Sequence, residues 1–283
     1  MLFKADIEFV IEDRGCEVDV IGFGTKAQTL EKLTPYLPKG VVLPLATIER
    51  EAWLRDSDAC IRKLRNQFNG QTLIVRSSAK GEDSETESMA GCFLSVKDVS
   101  CDRVTHLCNA IDRVFDSYGS KPTDEHVLIQ PQIQSLSMAG VIFTHDIENF
   151  APYYVFSVAG DTDSVTSGAG SQHHTYVRFR DSDEEFEFLW QKRLIELTSR
   201  IELIFDNAYL DIEFAVLNTG ELRILQVRPM VKVGREDSAI PENFDRTLAK
   251  VHRKLERMSL PHPDIVGSKT IFGVMPDWNP AEI

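Results

Sequence analysis

The sequence predicts an α+β protein in which helices and antiparallel strands are mixed within two lobes. Two segments, 104–118 and 194–204, carry apolar residues at steps of three and four, which is the spacing of one helical face. Several shorter segments alternate apolar and polar residues, as strands do. Because these helices and strands do not alternate strictly along the chain, a parallel sheet of repeated βαβ units is not expected.

The first elements are predicted from turn and capping signals. Alternating residues up to Val20 predict strands around a turn at Asp13-Arg14-Gly15. The stretch VIGFGTKAQTLEKL then predicts a strand, a glycine turn and a short helix. Another helix is predicted from an N-cap at Thr47 to a stop at Asn69-Gly70. The apolar faces of these two helices are expected to consist of Ala27, Leu30 and Leu33, and of Trp53, Ile61, Leu64 and Phe68.

The remaining elements follow in the same way. A helix is predicted over 102–119, ended by Gly119. Strands are predicted in HVLIQPQI, AGVIFTHD and PYYVFSVAG, and a further helix is predicted to carry Leu194 and Ile204 on its apolar face. The segment YLDIEFAVLNTGELRILQVRP predicts a hairpin, and a charged helix is expected near 244–258.

Composition excludes several classes of function. The chain has 283 residues, 42% of them apolar, and a formal net charge of −13, which opposes binding to nucleic acid or to an anionic membrane. Five cysteines without a C-x-x-C pair argue against a disulfide framework and a zinc ribbon. The adjacent pair His173-His174 would point to opposite faces of an extended segment, so a shared metal is not expected. A cytoplasmic protein without a signal peptide or membrane span is predicted.

The predicted hairpin brings four polar residues together. Asp211 and Glu213 share one face of their strand, and Gln226 and Arg228 share one face of the next. A loop of two residues or of four gives the same register, with Glu213 opposite Gln226 and Asp211 opposite Arg228. Such oxygen ligands suit Mg²⁺, and the guanidinium suits a phosphate. The alternative is a cross-strand ion pair beside a solvated Glu213, contributing about 0.2–1 kcal/mol.

A second candidate site lies in LIVRSSAKGEDSETESMAG, residues 73–91. Arg76 ends an apolar strand, and the segment behind it has no residues that could form a core. Loops of this kind suit the covering of a phosphate chain. The alternative is a surface arginine at a strand end. The residues expected to supply hydroxyls and adaptable backbone are Ser77, Ser78, Ser84, Ser88, Gly81 and Gly91.

A glycine turn provides a third basic residue. Residues 22–27, GFGTKA, fit the dinucleotide pattern G-x-G-x-x-A, but the acidic residue expected about 20 positions later is absent from GVVLPLAT. The sequence also contains no G-x-x-x-x-G-K-[ST]. Lys26 is therefore interpreted as an ammonium that faces a phosphate, and an NAD-binding oxidoreductase remains an alternative.

Four segments together resemble the nucleotide-binding region of the phosphoenolpyruvate synthase and pyruvate phosphate dikinase family, which has an ATP-grasp-like fold. They occur in the family's order within residues 20–230. GFGTKAQTL resembles its G-G-K-x-x-x-L segment, and LIVRSSAKGEDSETESMAG its V-R-S-S-A…E-D…S-x-A-G segment. VLIQPQIQSLSMAGVIFTHD resembles V-x-V-Q-x-M…A-G-V-x-F-T, and DIEFAV…LRILQVRP resembles D-I-E-W…I-L-Q-x-R-P.

The resemblance implies roles for these residues, with ATP and Mg²⁺ as cofactors. Lys26 and Arg76 would contact ATP phosphates, Arg228 would hold the terminal phosphate, and Glu213 and Gln226 would ligate Mg²⁺. Arg76 and Arg228 would be catalytic. Further nucleotide-binding positions implied by the resemblance are Ser88, Gly91, Gln130 (in the segment that lines the adenine pocket), Thr166, Gly168 and Asp211.

The sequence also departs from the family. SVAGDTDSVTSG replaces the usual G-L-G-E before V-x-S-G, and Gln132 stands where the family has Met. The family's phosphoryl-carrying histidine in a G-G-x-x-S-H context is absent. The tail SKTIFGVMPDWNPAEI resembles L-glutamine kinase-like members, so an N-terminal fragment is expected. The expected domains are an ATP-binding lobe at 1–125, a second lobe with the hairpin at 126–235, and a linker at 236–283.

The expected function is that of an ATP-binding domain in a dikinase-type phosphotransferase. The resemblance implies transfer to a histidine and then to a small acceptor, such as the L-glutamine amide, with AMP and phosphate as products. That acceptor would be bound by domains outside this chain. The alternatives are a phosphoenolpyruvate synthase-like enzyme with another acceptor, a non-catalytic ATP sensor, the NAD-binding oxidoreductase and a structural scaffold.

Overall fold

The computed structural model describes residues 20–78, 94–119, 125–160, 173–183, 185–230, 250–254 and 256. The chain divides into two units, Met1–Gly234 and Arg235–Ile283. The described residues of the second unit are helical, in the region where the sequence predicts a charged helix. Within the described ranges, no helix has both the length and the apolar character to span a bilayer.

The first sheet has four antiparallel strands in the order β1-β4-β2-β3. Helices cover one of its faces, and their buried residues, among them Leu64, Phe68 and Ile111, pack against Val75 and Ile129. This lobe consists of β1 (Ala46–Glu49), α2 (Arg50–Arg55), α3 (Ser57–Phe68), β2 (Thr72–Ser77), β3 (Ser95–Ser100), α4 (Val104–Asp116) and β4 (His126–Pro131).

The second sheet has five antiparallel strands in the order β7-β6-β5-β8-β9. Two helices contribute to its core, in which Leu30 and Ile201 pack in one cluster with Ile212 and Phe214. The elements are α1 (Lys26–Leu33), β5 (Leu136–Phe143), β6 (Tyr153–Ala159), β7 (His173–Phe179), α5 (Leu189–Phe205), β8 (Leu210–Leu217) and β9 (Leu222–Pro229).

Strand β4 connects the two cores. Val127 and Ile129 lie in the first core, whereas Leu128, between them, lies in the second. Because side chains alternate across a strand, the face that carries Leu128 also carries Gln130. Arg76 is paired with Leu128 on the neighbouring strand. Arg76 and Gln130 therefore lie on the side of the first sheet that faces the second.

The α+β class predicted from the sequence is confirmed. Helices α1, α4 and α5 and strands β4, β5, β6, β8 and β9 lie where the sequence predicts them. The strand predicted before the glycine turn is wrong, because residues 20–24 form no strand. The strands predicted before Val20 lie outside the described residues. The three cysteines that the structure describes, Cys60, Cys101 and Cys108, are free thiols.

The prediction that a helix begins at Thr47 is wrong. Thr47 lies in β1, where it pairs with Leu128. The helical segment is divided at Asp56, whose carboxylate accepts a hydrogen bond from Ala59 N at 2.8 Å and so caps α3. The lobe boundary at residue 125 stays a prediction, although β4 belongs to the first sheet and α1 to the second core.

Candidate functional site

The hairpin of β8 and β9 has the predicted pairs at the site. Asp211 lies opposite Arg228, and Glu213 lies opposite Gln226. Nearer the turn the pairing is shifted by one residue, so Phe214 lies opposite Ile224 rather than opposite Leu225. The uninterrupted register expected from the loop length is therefore wrong near the turn. A β-bulge at Leu225 absorbs the extra residue and restores the predicted pairs.

Asp211 and Arg228 form an ion pair across the two strands. Nε and Nη2 of Arg228 each lie 2.7 Å from Oδ2 of Asp211. The Asp211 side chain is only 8% exposed, so this carboxylate sits in a largely dry environment. This is the cross-strand ion pair that the sequence analysis gives as the alternative to a phosphate-binding arginine. It also orients the guanidinium beside Glu213, on the same face of the sheet.

Glu213 contacts the first lobe rather than standing alone in solvent. Its Oε2 accepts a hydrogen bond from Nη2 of Arg76 at 3.3 Å, and its side chain is 33% exposed. Burial acts to raise the pKa of Glu213, but the positive charges of Arg76, Lys26 and Arg228 outweigh it and lower that pKa. Glu213 is thus an anion at neutral pH, close to three cations that come from both lobes.

Lys26 reaches this cluster because the beginning of α1 is held in place. Thr25 is the N-cap, and Gln28 completes a capping box by accepting a hydrogen bond from Thr25 N at 3.1 Å. The Ser78 hydroxyl accepts a hydrogen bond from Ala27 N at 3.0 Å. Lys26 is the first residue of α1 and is buried. The helix therefore starts at the end of β2, beside Arg76.

The sequence predicts Ser77 and Ser78 in an exposed loop that covers a phosphate, and this prediction is wrong for both residues. Both are buried, and Ser78 N donates hydrogen bonds to the Tyr118 hydroxyl at 2.8 Å and to His126 O at 3.1 Å. Tyr118 in turn donates to His126 O at 2.6 Å. These residues hold β2, β4 and α1 together. The sequence predicts Tyr118 only as an apolar residue of the helical segment 104–118, and this pattern gives no sign of the partner of its hydroxyl.

Gln130 is the most deeply buried amide on the face that carries Arg76. The residue is 2% exposed, and its Nε2 has no hydrogen-bond partner within the described part of the chain. An unpaired buried amide costs roughly 1–3 kcal/mol unless a ligand or water satisfies it. A ligand with an acceptor atom, such as a nucleobase, would remove this cost.

The residues present fit a magnesium ion only in part. Glu213 and Gln226 supply two hard oxygen atoms from paired strands. No cluster of three or more His, Cys, Asp or Glu side chains suited to a metal occurs in the described ranges. Mg²⁺ commonly takes one or two protein ligands and completes its octahedron with phosphate oxygens and water. The pair therefore fits a magnesium nucleotide better than a free ion.

The structure brings Lys26 and Arg76, which come from two separate predicted segments, beside the hairpin residues Asp211, Glu213 and Arg228. Gln226 lies beside them through its pairing with Glu213. Four predicted nucleotide-binding positions lie outside the described residues: Ser88, Gly91, Thr166 and Gly168.

A buried histidine lies at the end of β5, next to the strand that carries Asp211. The His145 ring packs on Tyr209 with centroids 4.4 Å apart, and its Nδ1 is 3.4 Å from the Thr144 hydroxyl. Burial and the nearby Arg180 lower the pKa of His145 to about 4, against the opposing effect of a hydrogen bond with Ala208. His145 is therefore neutral at physiological pH.

We expect acid to destabilise the fold through His145. Between pH 6.5 and about 4 the unfolded chain binds a proton at this position and the folded chain does not, so stability falls as pH falls. The loss should be about 2–3 kcal/mol. Urea unfolding at pH 7, 6 and 5 should show a flatter profile for His145→Gln than for the wild type. Parallel profiles for the wild type and His145→Gln would contradict this assignment.

Comparison with known proteins gives similarity only at the level of structure. No protein-family model and no curated protein sequence matches the chain. D-alanyl-alanine synthetase A from Vibrio cholerae is 13% identical, covers 80% of this chain and 58% of its own, and gives a TM-score of 0.43. The VanG D-Ala:D-Ser ligase from Enterococcus faecalis is 14% identical over 81% and 60%, with a TM-score of 0.43. D-Alanine–D-alanine ligase from Helicobacter pylori is 15% identical over 81% and 57%, with a TM-score of 0.40. The chain thus spans about three fifths of these proteins.

Proposed function

We propose that this chain binds ATP with Mg²⁺ and is the nucleotide-binding part of a phosphoryl-transferring enzyme with an ATP-grasp-like fold. The observation that carries the proposal is the cluster around Glu213, where Lys26, Arg76 and Arg228 converge from both lobes. A chain with a net charge of −13 here places three cations beside two carboxylates. Such a cluster suits a polyphosphate, whose negative charges need several cationic partners.

The residues of the cluster have distinct proposed roles. Arg76 and Arg228 exchange their carboxylate partners for phosphate oxygens, which form comparably strong charge-assisted hydrogen bonds. Lys26 adds a compact charge at the beginning of α1, where the positive end of the helix dipole also favours an anion. Glu213 and Gln226 would hold Mg²⁺, which when bound would supply charge neutralisation for the phosphates. Gln130 satisfies its amide by donating to the base.

The four family-like segments support a more specific proposal for the transfer. ATP gives its β-phosphoryl group to a histidine on a further domain and its γ-phosphoryl group to water, which releases inorganic phosphate, and the histidine then passes its phosphoryl group to a small acceptor, of which the L-glutamine amide is one candidate. The products would be AMP and phosphate. A reaction that transfers only the terminal phosphate would instead give ADP, so nucleotide analysis of a turnover mixture separates the two.

The first test is calorimetric titration of the chain with ATP, with and without Mg²⁺, and with NAD as the control ligand. Binding of ATP that is tighter with Mg²⁺, with no heat from NAD, supports the proposal. Binding of NAD that ignores Mg²⁺ would favour the oxidoreductase. Absence of heat from ATP at millimolar concentration would contradict nucleotide binding by this chain.

We expect Glu213→Gln to abolish the effect of Mg²⁺ on ATP affinity. The amide keeps the shape of the side chain but removes the anionic ligand, so affinity with Mg²⁺ should fall roughly tenfold, to the value without it. Without Mg²⁺ the variant should bind ATP at least as well as the wild type, because one negative charge near the phosphates is removed.

The matched control for this prediction is Glu51→Gln, which removes the same charge at an exposed position of α2. It should retain the full effect of Mg²⁺. Unchanged dependence on Mg²⁺ in Glu213→Gln would show that another residue holds the ion.

A further inference from the structure

A cavity of about 250 Å³ lies at the turn end of the hairpin, away from the Glu213 cluster. It is bounded by the loop after α1, by one side of α5 and by the β8–β9 turn. Leu222 and Ile224 of β9 pack with α5 in the second core. Glu213, which alternates with the core residues Ile212 and Phe214, lies on the other face of this sheet. The cavity is therefore separate from the proposed nucleotide site.

The charges around this cavity are mainly positive. Its cationic side chains are Lys39, Arg193, Arg200 and Arg223, and its anionic side chains are Glu196 and Glu221. Glu221 is paired with Arg223 at 3.0 Å, and Glu196 lies 3.9 Å from Lys192. Within the described parts of the chain, Lys39, Arg193 and Arg200 have no carboxylate within ion-pair distance. We refer to this space as the basic cavity.

The positive charge is not explained by the composition of the protein. The chain has 44 acidic and 31 basic residues, so its net charge is negative, whereas the four cations and two anions around this cavity give a positive local charge. Arg193 and Arg200 lie seven residues apart, about two turns of α5, and so project from the same side of the helix. Guanidinium groups held in this way suit the oxygens of a phosphate or carboxylate.

The inner wall of the basic cavity is apolar. Val41, Leu197 and Leu222 line it and belong to the buried core of the second lobe. A pocket with apolar walls and a few charged groups typically binds an organic ligand rather than a simple ion. Its volume is below the roughly 300–1,000 Å³ of pockets for drug-sized ligands, so the ligand is small.

We propose that the basic cavity binds a small dianion with an apolar body, such as a phosphate monoester. Arg193 and Arg200 hold its charged end at the mouth, where both side chains are accessible. Leu197 and Leu222 contact its apolar part. The ester carries a charge of about −1.5 to −2 at neutral pH, which matches Arg193 and Arg200, since neither has a carboxylate within ion-pair distance among the described residues.

The test uses phenyl phosphate as the probe, measured by calorimetry on the whole chain. Phenol has the ring without the charge, and inorganic phosphate has the charge without the ring. We expect phenyl phosphate to bind more tightly than either. Arg193→Gln/Arg200→Gln should weaken the binding of phenyl phosphate by roughly 10²-fold or more, because two charge-assisted hydrogen bonds are lost. The affinity of this double variant for MgATP should be the same as that of the wild type.

Two further variants make the result decisive. Arg62→Gln/Arg65→Gln removes the same charge from the exposed side of α3 and should leave binding of the probe unchanged. Arg76→Ala/Arg228→Ala should also leave it unchanged. Loss of probe binding in that last variant, with retention in Arg193→Gln/Arg200→Gln, would overturn the proposal by assigning the probe to the Glu213 cluster. Lack of binding to the wild type at millimolar concentration would overturn it as well.

Discussion

Replacing Arg76 and Arg228 together by alanine is expected to lower the affinity for ATP by roughly 10²- to 10⁴-fold. Each guanidinium is proposed to donate a charge-assisted hydrogen bond to a phosphate, which contributes about 1.5–3 kcal/mol. Each single variant should therefore lose roughly 10- to 150-fold in affinity. The two losses should add if the residues contact different phosphates, and calorimetry on all three variants tests this.

The control must separate binding from folding, since both arginines also pair with carboxylates. Arg228→Ala leaves Asp211, only 8% exposed, without its guanidinium. Urea unfolding of each variant shows whether the fold persists under the conditions of the titration. Arg76→Lys and Arg228→Lys keep the charge but lose the planar fork, so they should bind ATP with intermediate affinity. Wild-type affinity in a folded double variant would contradict the assignment of both residues.

Much of the candidate site was predictable because strand periodicity is a strong constraint. Alternation along β8 and β9 fixes which side chains share a face. The predicted Asp211–Arg228 and Glu213–Gln226 pairs also assumed a loop of two or four residues without a bulge, whereas the pairing near the turn is shifted by one residue. These pairs are observed because the bulge at Leu225 offsets that shift, and an apolar residue in an apolar strand carries no signal for such an extra position.

The contact between Arg76 and Glu213 could not be derived from local pattern. These residues are 137 positions apart, and their 3.3 Å contact depends on the face of β4 that carries Leu128. Only the family-like order of segments suggested that they share a ligand. The role of Ser78 was hidden for a similar reason, since its partner Ala27 N is a backbone group 51 positions away.

The missed elements have local explanations. Thr47 is a residue type that often caps helices, but here it lies in the edge strand β1. Its pairing with β4 overrides its local preference for a helix N-cap. Asp56, which is as good an N-cap residue as Thr47, caps α3. The sequence does not indicate a new helix there, because the apolar spacing continues across Asp56. Strand β3 reads SVKDVS, which is polar because it is an edge strand, with few of the residues that indicate a strand.

The second large effect is expected at Arg180, which stabilises the lobe that carries the hairpin. Its Nη1 and Nη2 donate to the Glu202 carboxylate at 2.7 and 2.9 Å, and Nη1 also donates to Thr144 O at 3.0 Å. The guanidinium lies 4.5 Å from the centre of the Tyr154 ring. Glu202 is 11% exposed, so it cannot recover full hydration when its partner is removed.

Arg180→Met should therefore lower the free energy of unfolding by about 3–5 kcal/mol, the cost of leaving a buried charge unpaired. Glu202→Met should cost a similar amount for the same reason. Arg180→Met/Glu202→Met should cost clearly less than the sum of the single variants, because it removes both charges and fills the space with apolar atoms. Urea unfolding of the four proteins at pH 7 measures this cycle. Losses below 1 kcal/mol in both single variants would mean that water replaces the lost partner and that the pair is effectively a surface one.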